Sequence, residues 1–329
     1  MPKVSVVLPT FERWPLLLRA LTSVLEQAGV DLEVLVVDDC SSDGTPARLA
    51  AIDDPRLRVL RQETNQGVAR ARNRAIEAAR GEWVAFLDDD DFWAPTRLRE
   101  HLRAIADADA SWGYGAAMSV GQAGVRRVMM PAPPDALEDG LLELNVVGPP
   151  STATVRLDLL REIGGFDDHL SVIADWDLWV RLSRRAPAAL CTTPLVAYWE
   201  HAGAMHHQHR AELSAELEYL ADKHRDLMPD GRRFGARAAA RKAAGDDRLA
   251  GRRIRAVGAY LRMGVSERSR MDLLRGVALI GGEPFVARLK SAASPDVPVP
   301  EWLAHVIGEP EESAVAADGR IAGPMHVTL

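Results

Sequence analysis

Four adjacent aspartates, Asp88 to Asp91, follow the uncharged run Trp83 to Leu87 and lead directly into Phe92 and Trp93. Carboxylates crowded at the end of a partly buried strand repel one another and resist desolvation, so they require a compensating cation or strong donors. In an extended segment Asp88 and Asp90 would point to one side and Asp89 and Asp91 to the other, leaving one face able to hold a metal. Two further carboxylate pairs stand at element boundaries. Asp38 and Asp39 close an apolar run, and Asp175 and Asp177 open A-D-W-D-L-W-V-R-L, where the backbone donors of a helix start favour negative charge. His201, His206, His207 and His209 lie within nine residues, a density that suggests zinc or, more plainly, a loop closing over a ligand.

The elements that must position these groups alternate in type. Val4 to Leu8 reads as a buried strand, and Leu17, Leu18, Leu21, Val24 and Leu25 recur at helical spacing behind Pro15. Glu33 to Asp38 is a second strand, Thr45 to Ile52 a short helix, and Leu57 to Arg61 a third strand. Val68 to Arg80 is a helix stopped by Gly81, and Trp83 to Leu87 is the fourth strand. This alternation predicts an α/β fold with a mostly parallel sheet and helices on both faces. Ligands of such sheets bind at the carboxyl ends of the strands, where Pro9, Thr10, Phe11, Asp38, Asp39 and the aspartate run converge. Further on, Pro95 to Ala106 reads as a helix, Ser111 to Val120, Thr152 to Arg156 and Leu190 to Trp199 as strands, and the three-proline stretch Pro131 to Asp135 as a loop.

Several function classes are excluded. The first turn, P-T-F-E-R-W, has no glycine and cannot form a dinucleotide-binding loop. The Asp39 to Gly44 segment would place Ala50 where a calcium loop needs a bidentate glutamate. Ser41, Ser42, Asp43 and Gly44 instead read as turn and helix-cap chemistry. A chain of 329 residues with 47% hydrophobic and 26% charged residues is an ordinary globular composition. A net charge of -7 gives no reason to expect nucleic acid as a partner. Cys40 and Cys191 lie far apart and outside any Cys-x-x-Cys spacing, which argues against a disulfide framework and for a reducing, cytoplasmic setting. No apolar run reaches the ~18 residues of a membrane span.

The stretches V-S-V-V-L-P-T-F, V-V-D-D-C-S-S-D-G-T, N-Q-G-V-A-R-A-R-N, G-E-W-V-A-F-L-D-D-D-D, G-G-F-D and A-D-W-D-L-W-V-R-L resemble, in order and spacing, the successive motifs of family 2 glycosyltransferases. The resemblance covers roughly residues 1 to 205. It implies a GT-A fold and an inverting transferase that uses a nucleotide-sugar donor, UDP- or dTDP-type, an acceptor hydroxyl and a divalent cation, Mn2+ or Mg2+. Carried over by position, Pro9, Thr10 and Phe11 border the donor nucleotide and Asp39 accepts from its base. Arg72, with Asn73 beside it and Arg70 and Arg74 as competitors, faces the nucleotide. Asp88 and Asp90 match the ends of the Asp-x-Asp motif, with Asp90 the metal ligand, Asp88 assisting and Asp89 near the ribose or sugar. Asp91 only leads into the next turn. Asp175 matches the catalytic base, with Asp177 the rival, and Ala174 stands where many members carry an acid. Trp176, beside the base, reads as core or as a wall of the acceptor site, and Trp179 as core. Arg181 reads as a structural partner of an acidic group. Gly165 approaches the sugar or only makes a turn, and His201 completes the metal site or contacts the diphosphate.

These readings divide the chain into a GT-A nucleotide-sugar domain at 1–205, a helical C-terminal region at 206–293 and an extended tail at 294–329. Residues 222–275 hold 15 Lys or Arg against 7 Asp or Glu. That local excess reads as a solvated helix face, or as a surface for an anionic acceptor or peripheral membrane contact. A homo-oligomer is compatible with the composition. Two other functions share parts of the pattern: a non-catalytic nucleotide-sugar binding module, and a sugar-nucleotide pyrophosphorylase, whose glycine-rich first loop is missing here.

Overall fold

Why the aspartate run sits where ligands bind follows from the first four strands of the computed structural model, which describes residues 2–121, 124–201, 210–228, 234–249, 251–266, 273, 276, 277, 280 and 299–303. β1 (Val4–Thr10), β2 (Leu32–Asp38), β3 (Leu57–Arg61) and β4 (Trp83–Phe86) are all parallel, in the spatial order β3-β2-β1-β4. The crossovers are α1 (Trp14–Leu25), α2 (Thr45–Ala50) and α3 (Val68–Ala78). Every residue of β1 and β2 is buried, which is what runs such as V-S-V-V-L and L-E-V-L-V-V permit. Alternation then divides β1 between two cores. Val4, Val6 and Leu8 pack with α1 on one face, and Val7 packs with α3 on the other, so helices cover both faces as expected.

Beyond β4 the sheet becomes mixed. β8 (Thr154–Arg156) runs antiparallel to β4 and to β6 (Trp112–Gly121), and β9 (Ala188–Trp199) lies parallel to β6. Two short edge pieces, β5 (Phe92–Trp93) on β9 and β7 (Gly124–Met129) on β6, complete the nine strands found among the described residues. Between them lie α4 (Arg97–Asp107), α5 (Leu137–Leu141), α6 (Leu157–Glu162) and α7 (Ala174–Ser183). The pairing with β8 gives β4 a neighbour on both sides, which places its carboxyl end in the middle of the sheet edge.

The expected helical character of the C-terminal region appears in α8 (Arg210–Lys223), α9 (Ala236–Leu249) and α10 (Arg253–Ser266). α8 contributes Leu217, Leu220 and Ala221 to the same apolar core as Trp176, Leu178 and Trp179 of α7. α9 and α10 close on Ala244, Tyr260 and Met263. Leu303 is buried against Phe92, Met118, Val120 and Ala197. Among the described residues no helix is long and apolar enough to cross a membrane. His206, His207, His209 and most of the tail from Ser294 lie outside the described residues.

Candidate active site

β4 stops at Phe86 because the chain turns within the aspartate run, where Asp91 N donates to the carbonyl of Asp88 at 3.0 Å. The alternating placement expected of an extended segment is therefore corrected, since a turn rotates successive side chains. Asp88, Asp89 and Asp90 all line one cavity, of about 540 Å³, and Asp91 is buried outside its lining. Nor does Asp91 merely lead into the next turn. Its Oδ2 accepts from Ser151 Oγ at 2.6 Å and its Oδ1 from Trp199 N at 3.2 Å. Ser151 Oγ in turn accepts from Asp88 N at 3.1 Å, and its carbonyl accepts from Trp93 Nε1 at 2.9 Å and Arg97 Nη2 at 3.2 Å. Burial, then the charges of Asp90 and Asp88, raise the Asp91 carboxyl well above the ordinary range.

The three cavity-facing carboxylates share few donors. Asp88 pairs with Arg72 Nη2. Asp89 accepts from Thr10 Oγ1 at 2.7 Å and lies 3.4 Å from Arg13 Nη1. Arg13 Nη1 also reaches Asp90 Oδ2 at 3.1 Å, and His201 Nε2 lies 2.9 Å from the same oxygen. Burial first, then the charge of Asp90, pushes the Asp89 carboxyl up to about 7 despite Arg13 and Thr10. Asp90 and His201 thus bring a hard carboxylate oxygen and an imidazole nitrogen together, donor types that suit a divalent cation, whereas the group of three donors close enough to share an ion among the described residues is Asp167, Asp168 and His169.

The other side chains singled out from the sequence divide clearly. Pro9, Thr10, Phe11, Asp39, Arg72 and Asp175 line the same cavity, and His201 joins it through Asp90. Phe11 is 40% exposed, unlike its apolar neighbours, and presents a ring at the cavity mouth. Asp39 is buried and accepts from Gln62 Nε2 at 2.6 Å, Gln66 N at 2.8 Å and Gly67 N at 2.8 Å, so it also orders the entry to α3. Asp38 accepts from Ser41 N at 2.9 Å, which is turn chemistry. Of the three arginines, Arg72 alone lines the cavity; it is 5% exposed, and its Nε is buried without an acceptor among the described residues. Arg70 instead pairs with Asp168 at 2.9 Å, on the surface. Asn73 does not face the cavity: its amide exchanges two 2.8 Å hydrogen bonds with the backbone of Phe166. Gly165 makes this turn at φ +67°, and a Cβ there would stand 2.5 Å from Asn73 Oδ1.

Asp175 lies in the first turn of α7 and lines the same cavity as Asp88, Asp89 and Asp90. Its Oδ1 accepts from Trp176 N at 2.7 Å and its Oδ2 from Asn145 Nδ2 at 2.9 Å. Asn145 is held by Val147 N and Gly148 N at 3.2 and 3.0 Å. Burial pushes the Asp175 carboxyl up to about 6, against the nearby Arg72 charge, which lowers it. Asp177, two residues on, is fully buried and is not a rival in the cavity. It accepts from Arg181 Nε at 2.8 Å, lies 2.9 Å from His224 Nε2 and pairs with Lys223 Nζ at 2.7 Å, which depresses its carboxyl despite burial. Arg181 is thus the structural partner its sequence context suggested. Trp176 and Trp179 are core: their indoles donate to Leu141 O at 2.7 Å and Gly148 O at 3.2 Å, and Trp179 stacks on Trp112 at 5.9 Å. Trp176 is not among the residues that line the cavity.

Sequence reasoning missed Arg13, Asn145, Ser151 and Tyr198, all at or beside the cavity. The one available signal was N-V-V-G-P-P-S, an Asx-type turn followed by prolines, which joins Asp175 to the aspartate run through its two ends.

The model of the family "Glycosyl transferase family 2" matches residues 5–164. The succinoglycan biosynthesis protein ExoO of Rhizobium meliloti is 49% identical over 110 residues, 33% of this chain and 31% of that protein. The chain spans between 31% and 62% of the length of this and two further curated relatives. The structure of S. aureus TarS 1-349 with UDP-GlcNAc has a TM-score of 0.55 at 19% identity, covering 93% of this chain and 88% of that one. A mannosyltransferase of Pyrobaculum calidifontis with GDP-Man and Mn2+ has a TM-score of 0.50 at 22% identity, covering 89% and 79%. At such identities these likenesses speak for the fold, which is GT-A in both sequence expectation and architecture. The strand-end motifs, the mixed sheet and the family model agree, and residues 5–164 of this chain match glycosyl transferase family 2.

Proposed function

We propose that the chain transfers a sugar from a nucleotide-sugar donor, UDP- or dTDP-type, to an acceptor hydroxyl with inversion. The observation that carries this reading is one cavity lined both by Asp88, Asp89 and Asp90 and by Asp175, a carboxylate whose burial leaves it able to accept a proton near neutral pH. Pro9, Thr10, Phe11 and Asp39 hold the nucleotide at the ends of β1 and β2. Arg72, with a buried Nε lacking an acceptor, and Arg13 meet the diphosphate. Asp90, Asp88 and His201 hold the divalent cation, and Asp89 meets the ribose or sugar. When bound, the cation supplies Lewis-acid stabilisation of the charge that develops on the departing nucleoside diphosphate. Asp175 takes the proton of the acceptor hydroxyl as its oxygen attacks the anomeric carbon from the face opposite the leaving group. Asn145 and the Trp176 amide keep the Asp175 oxygens aimed during that transfer.

The solved relatives carry UDP-GlcNAc in one case and GDP-Man with Mn2+ in the other, which supports a nucleotide-sugar donor without choosing one. The test is release of nucleoside diphosphate from a panel of UDP-, dTDP- and GDP-sugars by purified protein with Mn2+, with and without oligosaccharide acceptors. Turnover that Asp175→Asn abolishes supports the reading. Turnover that survives both Asp90→Ala and Asp175→Asn overturns the mechanism.

A further inference from the structure

The segment that carries Asp175 is held from behind by α8, a helix outside the stretch that matches the family model. Glu216 of α8 is 7% exposed, and its two oxygens collect five hydrogen bonds from the three residues before α7. Oε1 accepts from Ser171 N at 2.8 Å, Ser171 Oγ at 2.7 Å and Val172 N at 3.1 Å, and Oε2 accepts from Val172 N and Ile173 N, each at 3.0 Å. Every partner is a donor. A carboxylate satisfies such a set because it presents two acceptors and no N–H, whereas a glutamine turns a donor toward at least one amide. Ser171 and Val172 line the cavity, and Ile173 caps the helix on which Asp175 occupies the second position. At the end of α8, Lys223, with His224 just past it, holds Asp177, and Lys223 and Tyr219 hold Asp167 at 2.6 and 2.9 Å. The helix grips both ends of this segment, and Glu216 grips its middle, nearest the cavity.

We propose that Glu216 is a positioning residue for the base: by fixing the amides of residues 171–173 it sets the cavity wall and the start of α7, and thereby the approach of Asp175 to the acceptor oxygen. This rests on the reading of Asp175 given above. It predicts a split between chemistry and donor binding, because the donor's contacts lie on β1, β2, α3 and the aspartate turn.

The experiment compares wild type, Glu216→Gln and Glu216→Asp, using the sugar nucleotide that wild type hydrolyses fastest with Mn2+ in the panel above. For Glu216→Gln, kcat falls about tenfold, as expected for a displaced catalytic group, while affinity for the product nucleoside diphosphate with Mn2+, by calorimetry, stays within about twofold. Amide hydrogen exchange, read on the ligand-free protein, rises at residues 171–175 and not in β1 or β4. Glu216→Asp, with both acceptors on a shorter stem, recovers part of kcat. An active wild type with an indifferent Glu216→Gln, or a Glu216→Gln that loses kcat, nucleotide affinity and thermal midpoint together without recovery by Asp, overturns the assignment. Unchanged exchange at 171–175 overturns it without any assay of turnover. A wild type that hydrolyses no sugar nucleotide overturns the catalytic reading beneath it instead.

Discussion

Asp175 and Asp177 stand two residues apart on one helix and have opposite surroundings. Asp177 is surrounded by Arg181 of α7, Lys223 at the end of α8 and His224 just past it, and its carboxyl is held below the ordinary range although it is fully buried. Asp175 faces the cavity, has one side-chain donor in Asn145 and one backbone donor, and is pushed up to about 6 by burial. The same contrast separates whole regions. Behind α7, Asp167 and Glu216 are saturated with donors. In the lining of the cavity, Asp88, Asp89 and Asp90 share two arginines, one hydroxyl and one imidazole. Desolvation alone therefore does not mark a functional carboxylate in this molecule; what differs is whether the fold itself supplies the donors.

The largest effect expected from this contrast is on turnover. Asp175→Asn keeps the shape and the Asn145 contact region but removes the proton acceptor, and kcat for donor hydrolysis should fall about 10²- to 10⁴-fold, with nucleotide affinity unchanged. A residual rate within tenfold of wild type would place the base elsewhere. Asp177→Ala is the mirror experiment. It strands Arg181, Lys223 and His224 beside a buried gap, and should lower unfolding stability in urea by about 3–5 kcal/mol. If Asp177→Ala instead abolishes turnover at unchanged stability, the two aspartates exchange roles.

Asp90→Ala probes the aspartate run. Asp90 Oδ2 is the oxygen that both Arg13 and His201 approach. Its removal should weaken apparent Mn2+ affinity at least about tenfold to a hundredfold, and should remove the Mn2+-dependent part of the thermal shift produced by nucleoside diphosphate. A smaller effect is the acid limb. A base must be unprotonated, and the Asp175 carboxyl is raised to about 6, so kcat/KM should hold above that pH and fall about tenfold per unit below it. A limb near the ordinary aspartate value, about 4, would mean that burial does not govern this group.

How much of this was readable in the residues depends on range. The first four strands and three crossovers, with Thr10, Asp39 and Asp88 to Asp90 at their ends, are local patterns of apolar runs ending in polar residues, whereas Asp175, at a helix start, was singled out by the resemblance to family 2 glycosyltransferases. The turn at Asp88 to Asp91 defeated the alternation argument because one backbone hydrogen bond, from Asp91 N to Asp88 O, outweighs the extended preference of the run before it. Two-residue β5 and five-residue α5 are too short for any period to show. Asn145, Ser151 and Glu216 were invisible for a different reason. They act on partners 30, 60 and 45 residues away, on carboxylates or backbone amides that only the tertiary fold brings near. Asn73 misled for the same reason, since its partner, the Phe166 backbone, lies 93 residues on.

Asn145→Ala is the mildest cut into the difference between the two aspartates, because it removes the side-chain donor that Asp175 has among the described residues while leaving the Trp176 amide in place. Two effects follow in opposite directions. Losing a donor to the charged form raises the Asp175 pKa further, so the acid limb moves to higher pH and the carboxylate becomes intrinsically a stronger base. Losing the anchor lets the carboxylate rotate away from the acceptor path, which lowers the rate even when it is unprotonated. A hydrogen bond to a charged group contributes about 1.5–3 kcal/mol, and part of it is recovered by water in an open cavity, so kcat above the limb should fall by only about tenfold. The pair of readouts separates the causes. A limb displaced upward with an unchanged plateau assigns Asn145 to charge tuning, and a lowered plateau with a fixed limb assigns it to orientation. If neither moves, the Asn145 contact belongs with the structural donors of Asp177, and the boundary between the two regions lies closer to the cavity than Asp175.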